Sequence, residues 1–513
     1  MADFQRVSRE IAKQRIQTTV KDGTINGIGA EGKTLDWELL PWQLIDKSIR
    51  KLRQRIFRAT REQKWNVVRS LMKLMLRSYL NLLASVRRVT QKNKGKKTAG
   101  VDGEVALTPK SRMALVKRMG KHTLWKARPA RRVHIPKPGK PGQERPLGIP
   151  TLRNRVSQAM VKNAHEPYWE AIFEPNSYGF RPGRSIHDAI EHCWLYLRGH
   201  GLRPWILDAD IKGAFDNISH DHILRSIGHL PGRELIKQWL KAGYVEAECF
   251  HVTESGTPQG GIISPLLLNV ALHGLQQKLG PVYGYIRYAD DLVVCASSRE
   301  KIEEAQITIS EWLQQRGLAL HPEKTRIAHI DDGFNFLGFS IRRYRGKCLI
   351  KPQKEKVLAF LSEQRLWLNK HKQVAAESVI RHLNPILRGW SNNYRHVVSK
   401  QVLAYVSSQI WKMLWKWCLR RHPEKGKKWV SRKYFCLHKN VSWTFHAQAG
   451  NDKLFLFDMG AVQIERHIKV RSGASPDDPT LQEYWTKRRE TRMKRPKVKA
   501  KAQCRAGSDA RAG

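Results

Sequence analysis

Hydrophobic and polar residues follow two different periods along the chain. Over 41–88 the apolar residues recur every three or four positions, which predicts helices. Over 125–345, short β-branched and aromatic stretches alternate with helix-like segments and Pro/Gly turns, which predicts an α/β or α+β core. The helical period then returns after about residue 350, and the segment 409–423 should end as a helix at Pro423.

Two of the helical segments carry distinctive side chains beside an apolar stripe. In the first segment the stripe consists of Ile45, Ile49, Leu52 and Ile56. Its other faces carry five cations, which are Arg50, Lys51, Arg53, Arg55 and Arg58. The segment 409–423 sets Trp411 and Trp415 one helical turn apart, with Leu414 and Cys418 on a neighbouring face. Such an aromatic stripe is either core or a base-stacking surface, and core is the default interpretation.

The charge of the 513-residue chain changes how these faces are interpreted. The formal net charge is +48, and such an excess favours a polyanionic partner. Nucleic acid is the leading candidate, with an anionic membrane surface as the alternative. The same charge favours an RNA-facing role over simple solvation for the first helix. Because the chain has no apolar run of about 18 residues and no signal-peptide core at its start, we expect a cytoplasmic location.

Basic segments also lie outside the amphipathic helices. The loop KNKGKKTAGVDG (92–103) is predicted to contact phosphate through Lys94, Lys96 and Lys97. The tail KRRETRMKRPKVKAK (487–501) is predicted to be disordered when free and to bind nucleic acid, beginning with Lys487, Arg488 and Arg489. The polar, glycine-containing segment 1–35 is expected to be flexible.

The seven cysteines are scattered singly, with no CxxC pair. This spacing argues against the commoner zinc modules and does not suggest a disulfide framework. Several lie in apolar settings, so we expect them to be small core residues.

The stretch YIRYADDLVV (285–294) holds two adjacent carboxylates, Asp290 and Asp291, between strand-like segments. Two like charges side by side cost free energy unless a cation lies against them. On a tight turn between strands, both carboxylates can point to one position, and such oxygen ligands suit Mg²⁺. A surface turn is the alternative, and a third carboxylate at another strand end would decide between them.

A third carboxylate follows another apolar strand, in WILDADIKGAFDNI (205–218). Asp210 stands at the end of that strand, and Phe215 lies five positions later. A deoxynucleotide polymerase needs a carboxylate for metal and a nearby bulky ring that blocks a 2′-hydroxyl. Phe215 alone is equally compatible with a core position.

A glycine-rich segment completes the set of motifs. In GTPQGGIISPLLLNVAL (256–272) the glycines permit close approach of the backbone to a substrate, and Gln259 offers an amide to a nucleotide. YADD, D-x-x-x-x-F and TPQGGIISPLLLN together resemble a bacterial reverse transcriptase, specifically the group II intron-encoded reverse transcriptases and maturases. Further blocks similar to that family follow its order, at 132–155, 174–190, 317–327, 334–341 and 383–397.

The resemblance covers roughly residues 40–460 and implies an α+β, right-hand polymerase fold. The domains it implies are a flexible N-terminus (1–35), a helical RNA-binding extension (36–117), fingers and palm (118–345), a thumb or maturase domain X (346–430) and a basic C-terminal DNA-binding region with tail (431–513).

The resemblance also implies the metal ligands. Asp210, Asp290 and Asp291 would ligate two Mg²⁺ ions, assisted by the backbone carbonyl of Ile211. Two further carboxylates in 205–218, Asp208 and Asp216, fall outside the ligand positions. Asp216 is expected to hold backbone or an arginine instead.

Nucleotide contacts follow from the same resemblance. Phe215 matches the steric gate, and Gln259 with Gly260 matches the nucleotide-contacting loop. Arg145 and Lys137, or Lys140 in the same loop, would cradle the triphosphate. Lys324 matches a cation that could protonate the departing pyrophosphate, with a solvated loop lysine as the alternative.

Other positions are implied to bind nucleic acid or to be structural. Arg181 and Arg184 are predicted template contacts. The block 334–341 corresponds to the primer grip, where backbone and rings would position the primer 3′ end. The lone histidines His134 and His187 are expected to be structural.

The implied function is an RNA-directed DNA polymerase that binds its intron RNA, promotes splicing and copies the intron into DNA during intron mobility. Its partners would be intron RNA, target DNA and deoxynucleotides, with no membrane. Because only Cys504 follows Cys436, we expect no HNH endonuclease, so the element would need a primer it did not cut.

Three rival interpretations remain. A splicing chaperone with an inactive polymerase fold is disfavoured by the intact carboxylates and TPQGG. Another class of bacterial reverse transcriptase generally lacks a maturase thumb such as 383–397. Binding to a membrane surface through the tail leaves the carboxylates unexplained.

Overall fold

The computed structural model describes residues 36–120, 126–136, 142–199, 202–439 and 441–494, with two short paired strands at Val20–Lys21 and Thr24–Ile25. The rest of the segment 1–35 and the tail beyond residue 494 lie outside the described residues, so the predictions for them stay open. Within the described ranges, no helix is long and apolar enough to cross a membrane.

The structure combines strands and helices as the α+β prediction requires. The α-helices are α1 Trp42–Arg61, α2 Trp65–Arg77, α3 Tyr79–Arg87, α4 Pro109–Gly120, α5 Leu152–Ile172, α6 Ile186–Leu197, α7 Ala214–Asn217, α8 His220–Ile227, α9 Arg233–Leu240, α10 Ser264–Ala271, α11 Leu275–Leu279, α12 Arg299–Gln314, α13 Lys354–Lys370, α14 Ala376–Tyr394, α15 Lys400–Arg421, α16 Lys427–Tyr434 and α17 Gln482–Lys494. Shorter helical turns occupy Arg88–Lys92, Lys94–Lys97 and Pro479–Leu481.

Within the described ranges, the strands form five sheets. In chain order they are β1 Val20–Lys21, β2 Thr24–Ile25, β3 Ala130–Pro136, β4 Glu144–Ile149, β5 Trp205–Asp210, β6 Tyr244–Glu246, β7 Cys249–His251, β8 Gly284–Tyr288, β9 Asp291–Ala296, β10 Arg326–His329, β11 Phe334–Phe336, β12 Phe339–Tyr344, β13 Lys347–Pro352, β14 Phe435–His438, β15 Val441–Ala449 and β16 Asp452–Phe455. The palm sheet has the order β10-β5-β9-β8 and is antiparallel throughout. The fingers sheet has the order β4-β3-β6-β7.

The N-terminal helices bury the predicted apolar stripe. Ile45, Ile49, Leu52 and Ile56 are all buried and share one core with the start of α5. The opposite, basic face is only partly as predicted, because Arg53 is not turned to solvent. Its guanidinium donates to Asp477 (2.6 and 2.8 Å) and to Glu166 (2.9 Å). Arg53 therefore joins α1 to α5 and to the C-terminal segment.

The thumb has a core of its own, formed by α13, α14 and α15 together with the β14–β16 sheet. The predicted boundary at residue 431 falls inside this core, which contains Val430, Phe435 and Phe445. The following segment returns to the palm, where Val470, Ala474 and Trp485 join the core on one face of the palm sheet. A methyl group on Gly183 would lie 2.5 Å from the Trp485 ring, so the two segments touch closely.

The tryptophan pair on α15 departs from the expected core placement. Leu414 and Cys418 are fully buried, but Trp411 and Trp415 are half-buried and stack with ring centroids 6.0 Å apart. They line a cavity of about 510 Å³ whose other walls carry five cations, Arg365, Lys372, Lys412, Lys416 and Arg420. Both rings also pack against the buried Phe435, so the two tryptophans lie at the edge of the core and the default interpretation holds in part.

Candidate active site

The palm sheet brings the three predicted carboxylates together. Asp210 is the last residue of β5 and pairs directly with Asp291, the first residue of β9. The amide of Ile211 donates to the carbonyl of Asp290 at 3.1 Å, which ties the end of β5 to the turn. Ala289 turns the chain between β8 and β9 with a left-handed φ of 60°. The predicted strand–turn–strand hairpin is confirmed.

The carboxylates interact electrostatically. Burial first, and then the charges of Asp290, Asp210 and Asp208, raise the pKa of Asp291 to about 7. Burial also raises the pKa of Asp290, with Asp210 adding to the rise. The pKa of Asp208 rises to about 6 because of burial, although Arg326 opposes this. The site therefore holds more negative charge than its own surroundings stabilise.

Lys324 supplies a direct cationic partner. Its ammonium lies 2.9 Å from Asp210 Oδ2 and lowers the pKa values of Asp290 and Asp291. The Lys324 side chain is 47% exposed, so the pair is accessible from solvent. Two residues later, Arg326 makes the equivalent contact with Asp208 at 3.2 Å. The predicted pyrophosphate-protonating lysine thus stands beside the predicted metal ligand.

The cluster of carboxylates is suited to hard divalent cations, but it supplies only part of a metal ion's coordination. Among the described residues, no three His, Cys, Asp or Glu side chains already form a metal site. Carboxylate oxygens are ligands that Mg²⁺ prefers, and Mg²⁺ commonly takes its remaining ligands from substrate phosphates and water. The raised pKa of Asp291 shows that a bound cation would relieve repulsion there. Asp210, Asp290 and Asp291 are the residues that would hold it.

The glycine-rich loop is pinned between palm and fingers. The amide of Gly148 on β4 donates to the Gln259 carbonyl at 2.7 Å. Gly260 has φ +123°, and a methyl group there would lie 2.5 Å from the Gly148 carbonyl oxygen, so glycine is required. The Gln259 amide donates to Asp216 at 3.2 Å. Burial raises the pKa of Asp216, and the charge of Arg132 opposes this, so the expected arginine acts on Asp216 electrostatically while Gln259 is its hydrogen-bond partner.

Phe215 follows the palm strand at the edge of the carboxylate site. Its side chain is half-buried and packs against the palm core on one side. Its carbonyl accepts a hydrogen bond from Thr257 at 2.6 Å. Phe215 is therefore held by the same loop that carries Gln259, in a position compatible with either core packing or a gate.

Of the fingers cations, Arg145 can be located and Lys137 cannot. Arg145 is exposed on β4, and its charge lowers the pKa of Asp290. It therefore lies within electrostatic reach of the carboxylates. Lys137 and Lys140 lie outside the described residues.

Two predicted template contacts have structural partners instead. Arg181 is buried and makes a bidentate ion pair with Glu170 at 2.8 and 3.0 Å, so it cannot reach a template. Arg184 is half-buried and donates to the carbonyl of Pro175 at 2.6 Å. The nucleic-acid-binding prediction is wrong for Arg181, and for Arg184 it stays a prediction.

The primer-grip and tail predictions also need correction. The rings of Phe334, Phe336 and Phe339 are buried in the palm core, so these rings cannot contact a primer, and the backbone part of the primer-grip prediction stays open. In the tail, Arg488 donates to the buried carboxylate of Asp188 at 2.9 Å, which makes it a structural residue.

The remaining predicted cations are on the surface. Lys94, Lys96 and Lys97 are exposed on a turn that Arg155 holds through the carbonyls of Gly95 and Thr98. Lys487 and Arg489 are exposed on α17, where Lys487 pairs with Glu483.

The two histidines have structural partners, as expected. His134 lies 3.2 Å from Glu246 across the fingers sheet. His187 shares a hydrogen bond of 2.8 Å with the carbonyl of Asn393 in the thumb.

The sequence interpretation missed Arg287, whose side chain supports the carboxylate turn. Its side chain is fully buried and donates to the carbonyl of Ala289 at 3.1 Å and to Asn269 at 2.9 Å. A charged residue inside the otherwise apolar strand YIRY was the available signal.

Three family models match the chain in consecutive order. The model described as the N-terminal domain of reverse transcriptase matches 37–119. The model for reverse transcriptase (RNA-dependent DNA polymerase) matches 135–341. The model for the group II intron, maturase-specific domain matches 357–435.

Curated relatives give the same result. Protein YkfC of Escherichia coli is 32% identical, over 60% of this chain and 88% of that relative. Group II intron-encoded protein LtrA of Lactococcus lactis is 28% identical, over 59% of this chain and 66% of LtrA. A telomerase structure from Candida albicans covers 60% of this chain and 64% of its own at 10% identity and a TM-score of 0.34, too weak to support a conclusion. The chain therefore belongs to the group II intron-encoded reverse transcriptases and maturases, a family of RNA-directed DNA polymerases.

Proposed function

We propose that this chain copies its intron RNA into DNA at the Asp210–Asp290–Asp291 site with two Mg²⁺ ions, and binds the same RNA to promote splicing. The observation that carries the proposal is the direct pairing of Asp210 with Asp291 beside Asp290, in a half-buried site where burial and then the neighbouring carboxylates raise the pKa of Asp291. When bound, the ions would activate the primer 3′-hydroxyl and steady the leaving pyrophosphate.

The protein residues around the carboxylates would bind and orient the substrates. Arg145, whose charge lowers the pKa of Asp290, would hold the triphosphate through charge-assisted hydrogen bonds. Lys324, beside Asp210, would give a proton to pyrophosphate. Gln259 and Gly260, fixed against β4, would support the nucleotide, and Phe215 would exclude a 2′-hydroxyl.

The basic surface would serve the intron RNA and the target DNA, with the chain acting in the cytoplasm and on the nucleoid. The exposed lysines Lys94, Lys96 and Lys97 and the cationic cavity beside Trp411 and Trp415 support this proposal. Phosphate contacts of this kind release counterions, so affinity should fall steeply as salt rises.

The test pairs primer extension with RNA binding in a single variant. Asp290→Ala with Asp291→Ala should abolish Mg²⁺-dependent extension of a DNA primer on an RNA template. Binding to the RNA that flanks the reading frame should stay close to wild type, because the basic surfaces are untouched. Wild-type extension by the variant would refute the site, whereas an inactive wild type that still promotes splicing would support the splicing-chaperone rival.

A further inference from the structure

Phe180 combines two properties that seldom occur together in a large apolar residue. Its side chain is 48% exposed, although Gly179 before it and Arg181 after it are buried. Its φ is +61°, a left-handed conformation that a side chain with a Cβ adopts only when its surroundings impose it. Strained residues of this kind cluster at functional sites, so the cause of the strain is informative.

The carboxylate turn imposes this conformation. The backbone amide of Tyr178 donates to the Arg287 carbonyl at 2.8 Å, and the side-chain amide of Asn269 donates to the Gly179 carbonyl at 2.9 Å. A methyl group on Gly179 would lie 2.2 Å from the Ala289 amide, so the two backbones are in direct contact. The segment before Phe180 is therefore fixed against the turn that carries Asp290 and Asp291.

The exposed ring of Phe180 then meets Phe215. The two ring centroids are 6.1 Å apart at 71°, an edge-to-face contact. Such a contact is favourable in its own right and restricts the tilt of both rings. Phe215 is thus held through its carbonyl by Thr257 and through its ring by Phe180.

We propose that Phe180 is a specificity-determining residue that positions the Phe215 ring and so sets how strictly ribonucleotides are excluded. The proposal rests on the polymerase function proposed above and on Phe215 as the gate. Phe180 acts through Phe215, so it is a positioning residue, and its loss should loosen the gate without dismantling the carboxylate site.

The experiment measures the ratio of kcat/KM for deoxynucleotide to that for the matching ribonucleotide in single-nucleotide extension. Phe180→Ala should lower this ratio about 3- to 10-fold, the size of an aromatic-pair contribution, with most deoxynucleotide activity retained. Phe180→Tyr keeps the ring and should restore the ratio. Ile307→Ala, which removes an exposed apolar side chain on the outer helix α12, is the matched control and should leave the ratio unchanged.

Combining variants separates a positioning role from an independent one. If Phe180 acts through Phe215, the double variant Phe180→Ala with Phe215→Ala should match Phe215→Ala alone. Additive losses would overturn the inference, as would an unchanged ratio in Phe180→Ala when Phe215→Ala relaxes selection. An unchanged ratio in Phe215→Ala itself would remove the gate, and absence of Mg²⁺-dependent extension by wild type would remove the polymerase proposal.

Discussion

Two carboxylates in this molecule have pKa values that are shifted in opposite directions. Asp188 on α6 is fully buried, whereas Asp291 at the palm turn is half-buried. Burial alone would raise the pKa of Asp188, but hydrogen bonds from His467, Ser185 and Val470 bring its pKa well below the usual range. Burial and then the charges of Asp290, Asp210 and Asp208 raise the pKa of Asp291 to about 7, against the opposing charge of Lys324.

The two carboxylates differ in the hydrogen-bond donors and charges that surround them. Asp188 accepts hydrogen bonds from the Ser185 amide and hydroxyl, the Val470 amide, His467 and Arg488, at 2.8 to 3.0 Å. Asp291 has like charges beside it instead. The negative charge of the structural carboxylate is compensated by hydrogen-bond donors within the chain. The negative charge of the active-site carboxylate can be compensated by an external cation.

The largest expected effect on activity tests this comparison at Asp291. We expect Asp291→Asn to lower RNA-templated extension on the order of 10³-fold or more, because an amide binds divalent cations far less well. The Tm should not fall, because a repelling charge is removed. Extension assays and thermal denaturation of the same sample check both statements. A drop in Tm of several degrees would show that Asp291 is structural after all.

The opposite result is expected at Asp188. Asp188→Ala should reduce the free energy of unfolding by roughly 3–5 kcal/mol, because it leaves buried donors and Arg488 unpaired. The matched control is Asp331→Ala, which also removes a carboxylate paired with a histidine and an arginine, but one that is 55% exposed. That control should cost less than about 1 kcal/mol in denaturant titration. Equal losses would break the comparison.

A smaller effect is expected for the cation at the active site. Lys324→Ala should lower kcat about 10²-fold if the ammonium protonates pyrophosphate. Arg326→Ala removes the adjacent, similarly exposed ion pair with Asp208 and serves as the control. Presteady-state extension rates measure both variants. If the two substitutions slow the reaction equally, Lys324 is only a solvated loop lysine.

The smallest effect concerns pH and Asp188. Its folded pKa is depressed, so its stabilisation is complete above the ordinary carboxyl pKa of about 3.9 and is lost as the pH falls further. His467, Arg488, Arg184 and Lys469 are the charged or titratable groups that act on it. The stability advantage of wild type over Asp188→Asn should shrink by more than about 1 kcal/mol between about pH 5 and pH 2.5. An advantage independent of pH would contradict a charge-based role.

Local patterns in the sequence predicted what depends on near neighbours. The Ile45–Ile56 stripe, the hairpin around Asp290 and the helix that ends before Pro423 follow from periodicity and turn chemistry, and all three are present. The alternation of elements predicted the α+β class for the same reason.

The predictions failed for residues whose interaction partners lie far away in the sequence. Arg53 pairs with a residue 424 positions away and Arg488 with one 300 positions away, so sequence-local reasoning assigned both to solvent or nucleic acid. Arg181 was misassigned in the same way, because the fold alone brings it to Glu170. Phe180 carried no sequence signal for its left-handed backbone beyond the glycine and proline around it.

The contacts of Arg53 and Trp485 have a practical consequence for engineering. Removing the chain after the thumb would leave Arg53 with Glu166 alone and would open the slot at Gly183 that the Trp485 ring fills. Truncated or fused versions should therefore retain residues through about 490, because that stretch closes the palm and is not a detachable accessory.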